Sequence, residues 1–154
     1  MALIIYTDGA SRGNPGRGGY GSVLIWGEKE KELSGGFELT TNNRMELLAV
    51  IMALEALTKE NLDIQIFSDS KYVVDSVEKG WVFGWEKKNF DKKKNPDLWK
   101  RLLKSYRKHN IKFNWVKGHA SNPYNNRCDW LATQAADGKN LQKDIFFEQE
   151  YYGR

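Results

Sequence analysis

Leu3-Ile4-Ile5-Tyr6-Thr7-Asp8-Gly9-Ala10-Ser11-Arg12-Gly13-Asn14-Pro15-Gly16 is the stretch that decides the fold. Its first five residues are apolar, aromatic or β-branched, the composition of a buried strand. The run stops at Asp8, and Gly, Ser, Asn and Pro follow, so the strand is expected to end there and a turn to begin. A carboxylate at the exit of a buried strand is partly shielded from water yet still reaches a ligand. The arrangement returns in Asp63-Ile64-Gln65-Ile66-Phe67-Ser68, a second strand that stops at Asp69. If the two are parallel neighbours, their carboxyl ends form the crevice where such sheets bind ligands.

The rest of the chain fits around that pair. Tyr20 to Trp26 reads as a strand, Gly27-Glu28-Lys29-Glu30 as a polar turn, and Lys31 to Leu39 as a returning strand. Short turns between the first strands imply antiparallel pairing. Thr40 to Glu46 opens a helix, with Asn43 as N-cap and Glu46 three residues later, as in a capping box. From Met45 to Leu57 that helix is apolar nearly all round apart from Glu55, so it is expected to be covered on several sides. Asp69 and Ser70 are cap candidates for a helix Lys71 to Lys79, which Gly80 can end. Asn95-Pro96 starts a helix whose Trp99, Leu102, Leu103 and Tyr106 form one apolar stripe. Ile111, Phe113 and Trp115 alternate with polar residues as a strand does. Lys117 to Pro123 is a loop before a last helix from about Asn126 to Ala136. The fold class is therefore α/β, a mixed sheet with helices on both faces. Residues 1–138 form the domain, and residues 139–154 are a tail to which the sequence assigns no role.

Composition narrows the function classes. A chain of 154 residues suits one domain with a real core. The net charge of +4 and pI near 9.1 favour a polyanionic partner only mildly, so the placement of the charge matters more. Cys128 is the sole cysteine, which excludes an internal disulfide and a cysteine-based zinc site. Met1 to Ile5 lacks a basic flank, and no run approaches the ~18 apolar residues of a membrane span. A cytoplasmic protein that does not engage a membrane is expected. The basic charge gathers in Trp81 to Asn95, where Trp81, Phe83, Trp85 and Phe90 stand among Lys87, Lys88, Lys92, Lys93 and Lys94. Aromatic faces beside lysines suit stacking on sugars or bases and neutralising phosphates. The alternatives are a solvated charged loop or, for Trp81 and Trp85, a helical turn apart, a place in the core.

Four acids carry the chemistry: Asp8, Glu46, Asp69 and Asp129. Each has an ordinary role open to it: an Asx turn for Asp8, a capping box for Glu46, an N-cap for Asp69, and a favourable first-turn charge for Asp129. Together they are gathered by the topology at one edge of the sheet, where like charges are costly unless neutralised. Mg²⁺ takes few carboxylates, keeps waters and accepts phosphate oxygens. Two such ions ~3.5–4 Å apart activate a water and stabilise a leaving oxygen. His119 lies in a Gly/Ser/Asn/Pro loop just past a strand, either as a surface histidine or as a mobile proton carrier. His109 ends a helix, where it would answer the C-terminal dipole.

With these residues laid out, the chain resembles type 1 ribonuclease H over nearly its whole length, up to about Gly138. The motifs Tyr6-Thr7-Asp8-Gly9, Thr41-Asn42-Asn43-Arg44-Met45-Glu46-Leu47, Ser68-Asp69-Ser70-Lys71-Tyr72-Val73, Trp115-Val116-Lys117-Gly118-His119 and Asn126-Arg127-Cys128-Asp129 fall in that family's order and spacing. The segment from Trp81 to Trp99 resembles the basic protrusion of bacterial members. The resemblance implies a ribonuclease H-like mixed five-stranded sheet flanked by helices. It implies a two-metal-ion endonuclease that cuts the RNA strand of RNA–DNA hybrids, leaving 3′-hydroxyl and 5′-phosphate ends. Mg²⁺ would be the cofactor, with Mn²⁺ a possible substitute, and a monomer is expected. Asp8, Glu46, Asp69 and Asp129 match the metal-binding carboxylates, and His119 the loop histidine that assists the attacking water or product release. Ser11, Asn14, Asn42, Asn43 and Lys71 fall where relatives contact the hybrid's minor groove and 2′-hydroxyls. Asn14 and Thr41 fall near a DNA-phosphate pocket, and Trp81 where an aromatic supports the DNA strand. Trp85, Lys87 and Lys88 complete the candidate hybrid-binding set. Lys71 stands where some relatives have Gln or Met, Phe90 where some have Trp, and Asn126 and Trp130 where acids are common. The rival readings are a DNA-cutting transposase or integrase core, which typically uses a different acidic set, and a hybrid-binding module with a disabled site.

Overall fold

The computed structural model describes residues 1–118 and 121–153 of the chain. Strands β1 (Leu3–Gly13), β2 (Gly16–Trp26) and β3 (Lys29–Thr40) form an antiparallel meander. Strands β4 (Asp63–Ser68) and β5 (Asn110–Trp115) extend the sheet in parallel from the other side of β1. A two-residue strand, β6 (Leu141–Gln142), runs parallel to β3, giving the order β5-β4-β1-β2-β3-β6. The helices are α1 (Asn42–Glu55), α2 (Lys71–Glu78), α3 (Trp81–Lys87), α4 (Pro96–Tyr106), α5 (Pro123–Asp137) and α6 (Ile145–Tyr152).

Strand alternation divides the apolar residues between the two faces of the sheet. Leu3, Ile5, Ile64, Ile66 and Phe113 join the larger core with α1, α2 and α4. Val23 turns the other way and packs with Cys128 and Leu131 of α5, with Tyr6, Ile25 and Tyr124 at the margin. Helix α1 buries ten of its fourteen residues, so it is enclosed on several sides, as its apolar circumference requires. On the other face, Gly21 has no Cβ because one would collide with the carbonyl of Cys128. That absence lets α5 lie directly on β2.

Several local expectations are corrected. The first strand does not end at Asp8. It continues to Gly13, because every residue from Ile4 to Gly13 is paired with β2. The polar residues after Asp8 belong to a long hairpin, with its turn at Asn14-Pro15. Helix α1 is capped by Thr41, whose hydroxyl accepts from the Arg44 N–H at 3.2 Å, so Glu46 is not part of a capping box. Helix α5 begins at Pro123 behind the N-cap Asn122, which leaves Asp129 beyond its first turn. His109 lies past the end of α4, and its Nδ1 accepts from the Leu62 N–H at 3.2 Å. Partial burial holds its pKa below the ordinary value, which keeps that acceptor free of a proton.

The basic segment is less of an excursion than its charge suggests. Val82 and Phe90 are buried, and Phe83 and Trp85 pack against the core, while Lys87, Lys88, Lys92, Lys93 and Lys94 are all exposed. The sixth strand and α6 give residues 139–154 defined structure. Asp144 there is buried and accepts from the Nε and Nη2 of Arg44 at 2.7 and 2.9 Å, and from the Thr40 hydroxyl at 2.7 Å.

Candidate active site

The site begins where β1 loses its parallel neighbour. Thr7 is paired with Ser68, the last residue of β4. One residue further, β4 turns away through Asp69 into α2, while Asp8 remains paired with Gly21 of β2. Asp8 and Asp69 therefore leave adjacent strands side by side. Glu46 arrives from α1, and Gly9 admits it. A Cβ on Gly9 would occupy the backbone of Met45 and Glu46, so only glycine lets the helix settle onto the strand beside Asp8. Gly21 does the same for α5, whose Cys128 carbonyl sits over it and is followed at once by Asp129.

Asp8, Glu46 and Asp69 each offer a carboxylate oxygen within 4.8 Å of the others. Asp8 and Glu46 are both only 5% exposed. None of the ion pairs among the described residues involves any of the three. Burial, followed by the charges of Asp69 and Asp129, pushes Asp8 up to about 8. Burial and then the charges of Asp8 and Asp69 raise Glu46 well above the usual carboxylate range. Asp69 is raised chiefly by burial. Asp129 is exposed on α5 and lies outside the group of three, though its charge is felt by Asp8 and Asp69.

A divalent cation fits this donor set. Glu46 Oε1 is shut off from water and has no hydrogen-bond partner among the described residues, an arrangement that costs free energy unless something electropositive occupies its front. Among the described residues, Asp8 Oδ1 accepts from the adjacent Gly9 N–H alone, at 2.9 Å. Three clustered oxygen donors with no salt-bridge partner among the described residues suit a hard cation that keeps part of its water shell. His119 lies outside the described residues. The residue before it, Gly118, passes so close to Asp69 that a Cβ would stand 3.0 Å from Oδ2.

The RNase H family model matches residues 1–137. The chain belongs to the RNase H family. Ribonuclease H of Desulforamulus reducens is 53% identical over 148 residues, covering 93% of this chain and 92% of that protein. Ribonuclease H of Syntrophus aciditrophicus is 53% identical over 147 residues, covering 92% and 84%. Among solved structures, LC9-RNase H1, a type 1 RNase H with the type 2 active-site motif, matches with a TM-score of 0.81 at 26% identity. That match covers 99% of this chain and 81% of the other. LC11-RNase H1, solved in complex with an RNA/DNA hybrid, matches with a TM-score of 0.65 at 28% identity, covering 88% and 96%.

In this RNase H the candidate substrate residues fall into two groups. The first surrounds the start of α1. The Asn42 N–H donates to Asn14 Oδ1 at 3.1 Å, tying the hairpin tip to the helix. Asn14, Thr41 and Asn43 line one groove of about 270 Å³ together with Lys93 and Lys94. Ser11 is half-buried on β1, between the acids and that tip. The second group follows Asp69. Lys71 is exposed at the first position of α2, and its Nζ lies 4.8 Å from the centroid of the Trp115 ring. Trp81, 47% exposed, opens α3. Trp85 turns inward against Trp99, ring centroids 6.0 Å apart, and carries Lys93 Nζ 5.1 Å from its centroid. Lys87 and Lys88 are exposed at the end of that helix.

Two residues of this RNase H that the sequence did not single out act on the site's surroundings. Arg44 is 2% exposed and binds both Asp97 and Asp144. It appeared only within the motif Thr41-Asn42-Asn43-Arg44-Met45-Glu46-Leu47, with no role assigned to it. Trp115 read as the last apolar residue of an alternating strand and the first residue of the motif ending at His119, with no role of its own, yet it is 45% exposed beside Asp69.

Proposed function

We infer that this RNase H hydrolyses the RNA strand of RNA–DNA hybrids with two Mg²⁺ ions, leaving 3′-hydroxyl and 5′-phosphate ends. The observation that carries this reading is the convergence of the Asp8, Glu46 and Asp69 carboxylates, one with an orphaned oxygen, in a chain of this family. Asp8, Glu46 and Asp69 would hold the ions, with Asp129 as the fourth carboxylate contributing to their site. Ions held there would supply acidification of a water and charge stabilisation at a phosphate and its leaving oxygen. Mn²⁺ offers the same oxygen-seeking chemistry and is a substitute. The three carboxylates exchange their mutual repulsion for attraction to the ions, which returns them to the ionised state at neutral pH. His119, which follows Gly118 in the sequence, assists the attacking water or helps the product depart.

Selectivity follows from the surface around the acids. The 2′-hydroxyl separates RNA from DNA in the cut strand. Asn14, Thr41, Asn42 and Asn43 sit together at the start of α1, where short polar side chains and helix N–H groups suit a sugar–phosphate backbone. The exposed Trp81 and the lysines of the protrusion flank the DNA strand, with Trp85 as the inward support of that surface. No described helix is long and apolar enough to cross a membrane.

The test is incubation of labelled RNA–DNA hybrid, duplex RNA and duplex DNA with and without Mg²⁺. Cleavage of hybrid RNA alone, abolished by chelation, is expected. Equal cleavage of duplex DNA would overturn the reading. Asp69→Asn retains the side chain's size but removes its charge. It should reduce turnover at least ~10³-fold while hybrid binding, which rests on sugar and phosphate contacts, changes less than about threefold. Near wild-type turnover in this variant would overturn the metal assignment.

A further inference from the structure

Trp115 closes β5 with an indole that is 45% exposed, large for an aromatic that the strand pattern could have turned inward. Two interactions hold it. Its Nε1–H donates to the main-chain carbonyl of Asp69 at 3.1 Å. Its ring carries the ammonium of Lys71 4.8 Å from the centroid. Asp69 and Lys71 flank Ser70, the N-cap of α2, whose hydroxyl accepts from Val73 N–H at 3.2 Å. The main chain supports the same junction, because Val116 N–H donates to the Ser68 carbonyl at 2.9 Å. One side chain therefore bears on the last acid of the cluster and on the nearest exposed cation of α2.

We propose that Trp115 is a positioning residue with two separable effects: its N–H fixes the Asp69 main chain so that the carboxylate faces the ions, and its ring fixes the Lys71 ammonium toward the bound hybrid. This rests on the hybrid-cleaving function inferred above. An ammonium has three donors and no acceptor, so Lys71 meets the oxygen and nitrogen acceptors of the nucleic acid: phosphate oxygens, 2′-hydroxyls or groove atoms. A free lysine side chain would have to be ordered on binding, whereas one already resting on an indole face loses less entropy. The indole N–H satisfies a carbonyl beside buried acids, and rotation of that peptide would swing the Asp69 carboxylate away from Asp8 and Glu46.

Separate variants distinguish the two effects. Trp115→Phe retains an aromatic face but lacks the N–H, so kcat should fall roughly fivefold, the scale of one net hydrogen bond, with KM nearly kept. Mn²⁺ affinity, read by calorimetry without substrate, should fall with it. Trp115→Leu loses both interactions and should add a roughly two- to fivefold rise in KM, the scale of an exposed cation–π contact. Lys71→Gln should raise KM without lowering kcat, and adding Trp115→Leu to it should raise KM no further. The slope of affinity against salt assigns the Lys71 partner: a slope reduced by about one identifies a phosphate, and an unchanged slope a hydroxyl or groove acceptor.

A readout in the metal-free protein is independent of cleavage. The Lys71 ε-methylene protons should be shifted upfield by the indole ring in the wild type and lose that shift in Trp115→Leu. Unshifted protons in the wild type would overturn the ring contact. Unchanged kcat and Mn²⁺ affinity in Trp115→Phe would overturn the Asp69 anchor. Failure of the wild type to cut hybrid would overturn the function while leaving the nuclear magnetic resonance and calorimetric arms to judge Trp115.

Discussion

Asp8 faces a conflict at neutral pH that its sequence neighbours do not resolve. Burial and the charges of Asp69 and Asp129 raise its pKa from 3.8 to about 8 in the absence of ions. For a carboxyl group raised on folding, the folded state binds the proton more tightly than the unfolded one. Its contribution to stability is full below about pH 4 and is lost as pH climbs toward 8. Asp8→Asn removes the penalty, so in chelator the variant should match the wild type near pH 4 and exceed it by up to about 6 kcal/mol at pH 9. Urea unfolding at the two pH values checks this, and a constant difference would show that the carboxyl titrates normally. Saturating Mg²⁺ should narrow the gap at pH 9, because the ions stabilise the wild-type cluster and not the variant. Of the four acids, only Asp69 lies at the strand exit the sequence pattern suggested; Asp8 lies mid-strand and Asp129 beyond the first turn of α5. That Asp129 would stand apart from the group of three was not legible, because its distance depends on how closely α5 can approach the sheet.

At the scale of the element, the protrusion combines an inward and an outward half. Trp85 and Phe90 anchor it to the α4 side of the core, while five lysines remain in water. Replacing Lys87, Lys88, Lys92, Lys93 and Lys94 with Gln should therefore leave the fold intact, since exposed charges contribute little to stability. Hybrid affinity should weaken and KM rise at low salt, with kcat at saturation nearly retained. The slope of log affinity against log salt should flatten by up to ~0.9 for each phosphate that the variant leaves unneutralised. Parallel slopes with equal affinities would make these lysines a solvated face. The segment's basic charge was plain in the sequence, and the helical spacing of Trp81 and Trp85 raised a place in the core, which Trp85 takes while Trp81 stays exposed. The first strand outruns its apolar pattern. Gly, Ser and Asn beyond Asp8 look like a turn, but there the strand is held by pairing with β2 and not by burial of its side chains.

Across the whole molecule, the Arg44 cluster joins segments distant in sequence. Arg44 on α1 binds Asp97 on α4 and Asp144 just before α6, and the rings of Phe146 and Phe147 lie 5.6 and 6.0 Å from its guanidinium carbon. Asp144→Ala leaves a buried guanidinium with one carboxylate partner and should cost about 3 kcal/mol in urea unfolding. A cost below about 0.5 kcal/mol would show that water replaces the carboxylate without penalty. Residues 139–154 were the least legible part of the chain. A two-residue strand has no period to read, and the partner that fixes Asp144 lies 100 residues away. The five longer strands and the enclosure of α1 were legible because each carries enough apolar residues to show its own repeat.

The three clustered carboxylates come from β1, α1 and the end of β4, and Gly9 brings the first two together through backbone contact. No single supersecondary unit of the chain contains a working site. A nascent or partly unfolded molecule is therefore harmless to RNA, because the ion cage is dispersed until sheet and helix have closed on one another. Catalysis serves as a reporter of global folding, and across a denaturant titration the loss of cutting should coincide with the cooperative melting of the core.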